Sequence, residues 1–177
     1  MSLMIKEEAN EKIMIHNSAN NLDKELAPDI PAPLPNYSGF AMVISGPSGS
    51  GKTTSLYSMM TKRKNKGVRQ SYRKVFDKIY IVSPTMANSS MKKDPFKDIN
   101  KKQVYRNLTL DQLEELEEQI QDNREEGLNS VVILDDVGSQ LKKSASVEKK
   151  LTQMIQNRRH DYTSYFILMK LINKKMI

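Results

Sequence analysis

The segment 40–54 reads FAMVISGPSGSGKTT, and three kinds of local structure follow one another within it. Its first part, Phe40 to Ile44, is a short apolar run of the kind that forms a buried strand of a parallel sheet. A glycine-rich turn comes next, and a helix is expected from about Thr53 to Lys64. Strand, tight turn and helix in this order are typical of one unit of an α/β fold.

Similar apolar runs recur along the rest of the chain. They predict strands at Ile79–Val82, Val131–Leu134 and Tyr165–Met169, with a further short strand at Gln103–Tyr105. Between these runs, apolar residues at helical spacing predict one helix from Leu110 and another around Val147 to Ile155. Strands that are apolar throughout and alternate with helices predict a parallel sheet with helices on both faces.

Composition divides the chain into an arm and a body. Residues 1–37 are polar, lack sustained periodicity and end in a proline-rich stretch, which predicts a flexible arm with a stiff linker. Residues 38–177 are then expected to form the α/β domain. No stretch approaches the roughly 18 apolar residues of a membrane span, and no apolar signal core is present at the start. These features predict a soluble protein of a cytoplasm-like compartment.

The turn carries a complete phosphate-binding motif: glycine, four residues, then Gly-Lys-Thr. Glycines let backbone N–H groups curl around phosphates, the start of the following helix favours an anion, and Lys52 reaches the outer phosphates. The Thr53 hydroxyl is predicted to bind Mg²⁺. The alternative, an ordinary glycine-rich turn, does not explain the strand before it and the helix after it. The predicted nucleotide-binding residues are Gly46, Pro47, Ser48, Gly49, Ser50, Gly51, Lys52, Thr53 and Thr54.

An acidic pair follows the strand predicted at 131–134. Asp135 lies where phosphate-loop enzymes place the carboxylate that holds Mg²⁺, and Asp136 is predicted to orient or deprotonate the attacking water. Without the glycine-rich loop, a turn or a helix cap would be the preferred interpretation. The same residues also satisfy the Asp-x-x-Gly pattern of GTPases. No Asn-Lys-x-Asp motif is present to recognise guanine, so ATP with Mg²⁺ is the predicted ligand.

The net charge and the Cys and His content limit which partners and metal sites are compatible with the sequence. The chain has a net charge of +7, but residues 1–37 hold three Lys against six acidic residues, so the remainder carries about +10. A run of basic residues between Lys62 and Lys78 is consistent with nucleic-acid phosphates and equally with a solvated loop. Cysteine is absent and there are two isolated histidines, which exclude disulfides and a thiolate zinc site.

Four motifs taken together, GPSGSGKT, IYIVSPT, VVILDDV and NRRH, resemble one family. The chain resembles the genome-packaging ATPases of large DNA viruses and virophages, within the FtsK/HerA superfamily, over about residues 36–172. The resemblance implies an additional-strand ATPase fold and a homo-oligomeric ring that pumps double-stranded DNA into a capsid. It also implies a capsid or portal-like partner, and a location in the viral factory of the host cytoplasm or in the virion.

By the same resemblance, Asp135 and Asp136 serve hydrolysis, and Arg159 is the arginine that reaches a neighbouring subunit's phosphate. Favourable interaction of basic residues with a helix C-terminus would equally explain Arg158 and Arg159. Two features depart from the family: Lys170 stands where a polar sensor, typically Gln, ends the fourth strand, and the chain stops at Ile177, where family members continue. A C-terminal truncation and a minimal relative both fit these departures.

Three functions remain open at this stage. The first is a DNA-translocating ATPase. The second is a truncated module that binds ATP without motor activity, which Lys170 and the early stop favour. The third is a small phosphotransferase, which would share the phosphate loop but would need a lid and an acceptor site.

Overall fold

A computed structural model of the chain describes residues 25–26, 30, 33–60, 72, 75–84, 96 and 99–170. Five strands and four α-helices, with one 3₁₀ helix, follow one another in these residues. In chain order they are β1 (Ala41–Gly46), α1 (Lys52–Met60), β2 (Lys78–Val82), the 3₁₀ helix Lys101–Gln103, β3 (Val104–Tyr105), α2 (Leu110–Glu125), β4 (Ser130–Asp135), α3 (Gly138–Leu141), α4 (Ala145–Asn157) and β5 (Thr163–Lys170).

The five strands form one parallel sheet in the order β1-β5-β4-β2-β3. The strand that leads into the glycine-rich turn is therefore separated from β4 by β5, the last strand among the described residues. Such an inserted strand is the feature that the additional-strand interpretation predicted. The parallel α/β fold with helices on both faces is confirmed.

Alternation along each strand divides the apolar side chains between two layers of core, because neighbouring residues of a strand point to opposite faces. On one face, Ile133 and Phe166 pack with Leu56 and Tyr57 of α1. On the other, Val132 and Leu134 pack with residues of α2 and α4. All six residues of β4 are buried, which explains why its sequence is an unbroken apolar run followed by a buried acid.

Element bounds differ from the sequence-based prediction by one or two residues, and two short elements are new, one of them the 3₁₀ helix Lys101–Gln103. The predicted polar loop after Asp136 contains the short helix α3. Helix α1 begins at Lys52 and is described as far as Met60, so its predicted continuation to Lys64 lies outside the described residues. The same holds for most of the predicted arm and for the basic run of residues 62–74.

Strand β1 is the least buried strand of the sheet. Val43 is 55% exposed, and Met169 of the neighbouring strand is 49% exposed. Within the described ranges, no strand pairs with the outer edge of β1, so its exposure follows from its place in the strand order. None of the helices in the described part of the chain combines the length and the apolar character that a bilayer crossing requires.

Candidate active site

The glycine-rich turn joins the end of β1 to the start of α1 in a conformation that depends on its glycines. Gly49 and Gly51 have φ values of 77° and 85°, in the left-handed region that L side chains rarely adopt. A Cβ atom on Gly46 would lie 2.6 Å from the Ser50 hydroxyl oxygen, so a side chain at this position would require the Ser50 side chain to move. The backbone N–H of Ser50 donates to the Pro47 carbonyl at 3.3 Å. The turn is thus curled tightly over the amino end of α1.

Lys52 holds this curled turn together. Its ammonium donates to the carbonyl oxygens of Gly46 at 3.1 Å and Pro47 at 2.9 Å. As the first residue of α1, it also stands at the end of the helix where the backbone dipoles favour an anion. A phosphate entering the turn would therefore find a cation already placed at its centre.

Asp135 ends β4 and is 8% exposed. Burial raises the pKa of its carboxyl above the ordinary value of 3.8, and the neighbouring Asp136 charge acts in the same direction. The Lys52 charge and a hydrogen bond with the Ser83 side chain lower the pKa and oppose part of this effect. Ionisation of the Asp135 carboxyl therefore costs free energy in the folded protein, and a cation in the same cavity would reduce this cost.

Asp136 turns the chain sharply away from the sheet. Its φ is 56°, in the left-handed region, where short polar residues such as Asp and Asn are tolerated better than other L residues. The turn buries Val137 and leaves the Asp136 side chain exposed. The backbone conformation therefore directs the second acid out of the sheet and into the solvent-facing part of the site.

These elements converge on a cavity of about 220 Å³ at the carboxyl ends of β1, β4 and β5. Its lining residues are Ser48, Gly49, Lys52, Thr53, Asp135, Asp136, Leu168 and Lys170. Gly46, Pro47, Ser50, Gly51 and Thr54 do not line it: the first four shape the turn, and Thr54 is exposed on α1. A larger cavity of about 620 Å³ lies at the amino end of β2 and contains none of the predicted site residues.

The oxygen donors of the cavity suit a hard divalent cation. The Thr53 hydroxyl and the Asp135 carboxylate line it together, and both are ligand types that Mg²⁺ accepts. Within the described residues there is no group of three or more His, Cys, Asp or Glu side chains that could hold a metal alone. A cation here would complete its coordination with phosphate oxygens and water, as Mg²⁺ does in nucleotide sites.

The structure adds two polar residues to the site. Ser83, fully buried just after β2, contacts the Asp135 carboxyl. The sequence contained a signal for it, because carboxyl ends of parallel strands meet at one edge of a sheet and Ser83 follows an apolar run. Lys170 was predicted as a departure from a family pattern rather than as a site residue, and the structure places it in the cavity.

Arg158 and Arg159 lie at the amino ends of β1 and β5, opposite the strand ends that line the cavity. A Cβ atom on Gly39, which precedes β1, would lie 2.7 Å from the Arg159 Cα, and the Arg158 carbonyl accepts from the N–H of Thr163 at the start of β5. The six residues of β1 span about 20 Å, so both arginines are remote from the turn of their own chain. Any contact of Arg159 with a nucleotide phosphate would have to be made to another subunit.

The fold and the site together define a class of protein, the phosphate-loop nucleotide-binding domains. In this domain an additional strand, β5, lies between β1, which leads into the phosphate loop, and β4, which ends in Asp135. Residues 34–170 match a family described as an ATPase domain predominantly from Archaea. Because this match spans most of the chain, the chain belongs to that family, and the domain is an ATPase that binds ATP. Among proteins with a curated description, none matches the chain.

Proposed function

We propose that the chain is an ATP-hydrolysing motor that moves double-stranded DNA, works as a homo-oligomeric ring, and packages a viral genome into a capsid. The observation that carries the hydrolytic part is the cavity at the carboxyl edge of the sheet, where Lys52, Thr53, Asp135 and Asp136 meet. The positive net charge supports an anionic polymer as the partner. The four-motif resemblance supports packaging as the task.

In this proposal the loop backbone and Lys52 bind the outer phosphates, and Thr53 and Asp135 hold Mg²⁺. The metal would neutralise charge that builds on the phosphate oxygens as the terminal phosphoryl group leaves. Asp136 orients the attacking water and accepts its proton. The exposed position of Asp136 suits this role, since water reaches it from solvent, whereas Asp135 is buried and would hold the metal.

The placement of Arg159 supports assembly into a ring. The phosphate loop of the same chain lies at the opposite ends of the strands. Arg159 can therefore complete a nucleotide site in a neighbouring subunit and not in its own. In the proposed head-to-tail ring, the amino ends of the strands of one subunit would face the carboxyl ends of the next, and heterologous contacts form a ring when the rotation between subunits closes. Hydrolysis would then depend on assembly.

ATP turnover by the purified chain, with and without double-stranded DNA at low salt, tests the proposal. We expect turnover that rises with DNA and disappears in Lys52→Ala. The matched control is Lys149→Ala, since Lys149 is exposed on α4 and lies outside the cavity. Because DNA contacts by lysine and arginine release counterions, stimulation should fall steeply as salt rises.

Each other outcome has a definite meaning. ATP turnover that does not change on addition of DNA would contradict DNA translocation and would indicate an ATPase with a different function. ATP binding without turnover would support the second candidate, a binding module without motor activity. Two features favour this candidate. The outer edge of β1 has no paired strand in the described part of the chain, and Lys170 lines the cavity. Failure of the wild type to bind ATP would contradict both candidates.

A further inference from the structure

A largely enclosed cavity of about 90 Å³ lies at the amino ends of the strands, opposite the nucleotide site. Asp77, Asn129 and Tyr162 line it and directly precede β2, β4 and β5. Glu25 and Ser38 line it from the segment before β1. The cavity therefore lies where parts of the chain that are distant in sequence meet, and it is large enough for a cation and a few water molecules.

The two acidic residues of this cavity have no counter-charge. Glu25 and Asp77 both line it, and within the described part of the chain neither takes part in an ion pair. None of the described lining residues is a lysine, an arginine or a histidine, although the chain has a net charge of +7. A cation in the cavity would be attracted by both carboxylates and would offset their mutual repulsion.

A buried hydroxyl in the same cavity also lacks a partner. Ser38 is 2% exposed and lines the cavity, and its hydroxyl oxygen has no hydrogen-bond partner in the described structure. Burial of a hydroxyl without a partner destabilises a fold, so a ligand that this oxygen can bind would be favourable here. Hydroxyl and carboxylate oxygens are ligands of the same hard cations.

Hydrogen bonds hold the two carboxylates in place and leave them free to accept more. The Asp77 carboxylate accepts from the N–H of Asn129 at 2.9 Å, and the Asn129 side chain accepts from the N–H of Asp77 at 2.7 Å. The Glu25 carboxylate accepts from the side-chain amide of Asn36 at 2.7 Å. An ionised carboxylate can accept about four hydrogen bonds, so both groups keep lone pairs for a further ligand.

We propose that this cavity binds a hard divalent cation of the Ca²⁺ type, with the carboxylates of Glu25 and Asp77 and the hydroxyl of Ser38 as ligands. Water and backbone carbonyl oxygens complete the coordination, because Ca²⁺ takes about six to eight oxygen ligands in flexible arrangements. Mg²⁺ fits less well, since it requires a near-octahedral shell and gives up its water reluctantly. With two charged ligands, the dissociation constant is expected at about 10⁻⁴–10⁻³ M.

The cation links two parts of the chain that the sheet does not join directly. Glu25 and Ser38 belong to the segment before β1, and Asp77 belongs to the turn before β2. In the sheet, β5 and β4 lie between β1 and β2. Binding of the cation therefore stabilises the fold, and it does so at the opposite ends of the strands from the nucleotide site.

Calcium binding by the whole chain without nucleotide tests this inference, after treatment with a chelator. Isothermal titration calorimetry measures Ca²⁺ affinity, and an about tenfold excess over the dissociation constant should raise the melting temperature by about 3 °C. Glu25→Gln and Asp77→Asn should each weaken Ca²⁺ binding by about tenfold or more and remove this rise. Both new amides can still accept the hydrogen bonds from Asn36 and Asn129, so the variants should fold.

Ser38→Ala distinguishes a ligand from a residue that only supports the fold. Without Ca²⁺ the variant should be at least as stable as the wild type, because a buried hydroxyl without a partner is removed. With Ca²⁺ it should gain less stability than the wild type. A less stable Ser38→Ala whose Ca²⁺ response is unchanged would overturn the assignment of this hydroxyl as a ligand.

Two further variants locate the cation. Glu118→Gln, on the exposed face of α2 and outside the cavity, is the matched control and should keep the wild-type response to Ca²⁺. Asp135→Asn should keep it as well, since Asp135 lines the nucleotide site.

A Ca²⁺ response that is lost in Asp135→Asn and kept in Asp77→Asn would place the cation at the nucleotide site and overturn the inference. Absence of any Ca²⁺ effect on the wild type would also overturn it and would indicate a cavity filled by ordered water. Neither result bears on the proposed ATPase, which is tested by turnover.

Discussion

Asp135, the residue proposed to hold Mg²⁺, carries a charge that the fold opposes. Its carboxyl is buried at the end of β4, next to a second carboxyl, and both features raise its pKa above 3.8. The folded protein therefore holds a proton on this group more readily than the unfolded chain does. As pH rises from the ordinary pKa through the raised one, the folded state loses stability relative to the unfolded state.

Replacement of the Asp135 carboxylate by a neutral group of the same shape should restore the folding stability that ionisation of the carboxyl removes. We expect Asp135→Asn to raise the melting temperature at pH 7 without nucleotide, because the buried charge is gone while the shape is kept. The advantage should vanish at pH values below about 3.8, where the wild-type carboxyl is protonated in both states. Differential scanning calorimetry across this pH range measures the effect.

Asp122→Asn is the control for this substitution, since Asp122 is exposed on α2. It should leave the melting temperature unchanged at pH 7. A lower melting temperature of Asp135→Asn at pH 7 would contradict the conclusion that burial opposes the charge. ATP turnover of this variant should be lost, because an amide binds Mg²⁺ more weakly than a carboxylate does.

At the scale of elements, the junction between the start of β1 and the end of α4 decides how the loop strand is positioned. The N–H of Gly39 donates to the Ser164 hydroxyl at 3.1 Å, and the N–H of Tyr165 donates to the Phe40 carbonyl at 2.8 Å. Gly39 has a φ of 75°, and its α-carbon faces the backbone of Arg159 without room for a methyl group. Close backbone contact therefore places β1 against β5.

Two glycines with nearly the same φ allow this contact to be tested. Gly127, after α2, has a φ of 76°, and a Cβ atom there would meet nothing within 4 Å. Gly127→Ala should cost about 1 kcal/mol, from backbone strain alone. Gly39→Ala should cost about 3 kcal/mol, because it adds a collision with the Arg159 backbone at 2.7 Å. Chemical denaturation measures both values, and equal costs would contradict the packing argument.

At the scale of the whole molecule, the arginine of one subunit and the phosphate loop of another should act together. We expect Arg159→Ala to abolish turnover while ATP affinity stays within about threefold of the wild type, since transition-state contacts act on rate rather than on binding. Arg106→Ala is the matched control, because Arg106 is exposed and lies outside the cavity. Turnover and equilibrium binding are measured on the same preparations.

Mixing two inactive variants tests whether the action is between subunits. An Arg159→Ala subunit keeps its phosphate loop, and a Lys52→Ala subunit keeps its arginine, so mixed rings contain some complete sites. Turnover should reappear on mixing, and sedimentation velocity should show assemblies larger than one chain. Recovery would be absent if Arg159 acted only through the fold of its own chain.

Prediction from sequence succeeded where a property is local. The apolar run 131–134 predicted a strand buried on both faces, because no polar residue interrupts it, and β4 has that character. Apolar spacing from Leu110 predicted α2, which begins at that residue with Thr109 as its N-cap. Bounds shifted by at most two residues, because the ends of helices and strands are irregular and apolar spacing does not mark them sharply.

The properties that required the structure depend on residues distant in the chain. Lys170 enters the cavity only because β5 is inserted between β1 and β4, and Arg159 lies far from its own phosphate loop only because α4 ends at the amino edge of the sheet. Neither relation has a signal in the residues themselves. The contact of Ser83 with Asp135 depends likewise on the pairing of β2 with β4, although the position of Ser83 just after an apolar run was a signal for it.

The sequence by itself therefore determined the elements, their α/β class and the phosphate-binding turn, because hydrophobic periodicity and glycine conformation act over a few residues. Only the tertiary structure decided which side chains share the cavity and which edge of the sheet each faces. Strand order is set by long-range pairing and by burial of both sheet faces at once, and these are properties of the whole folded chain.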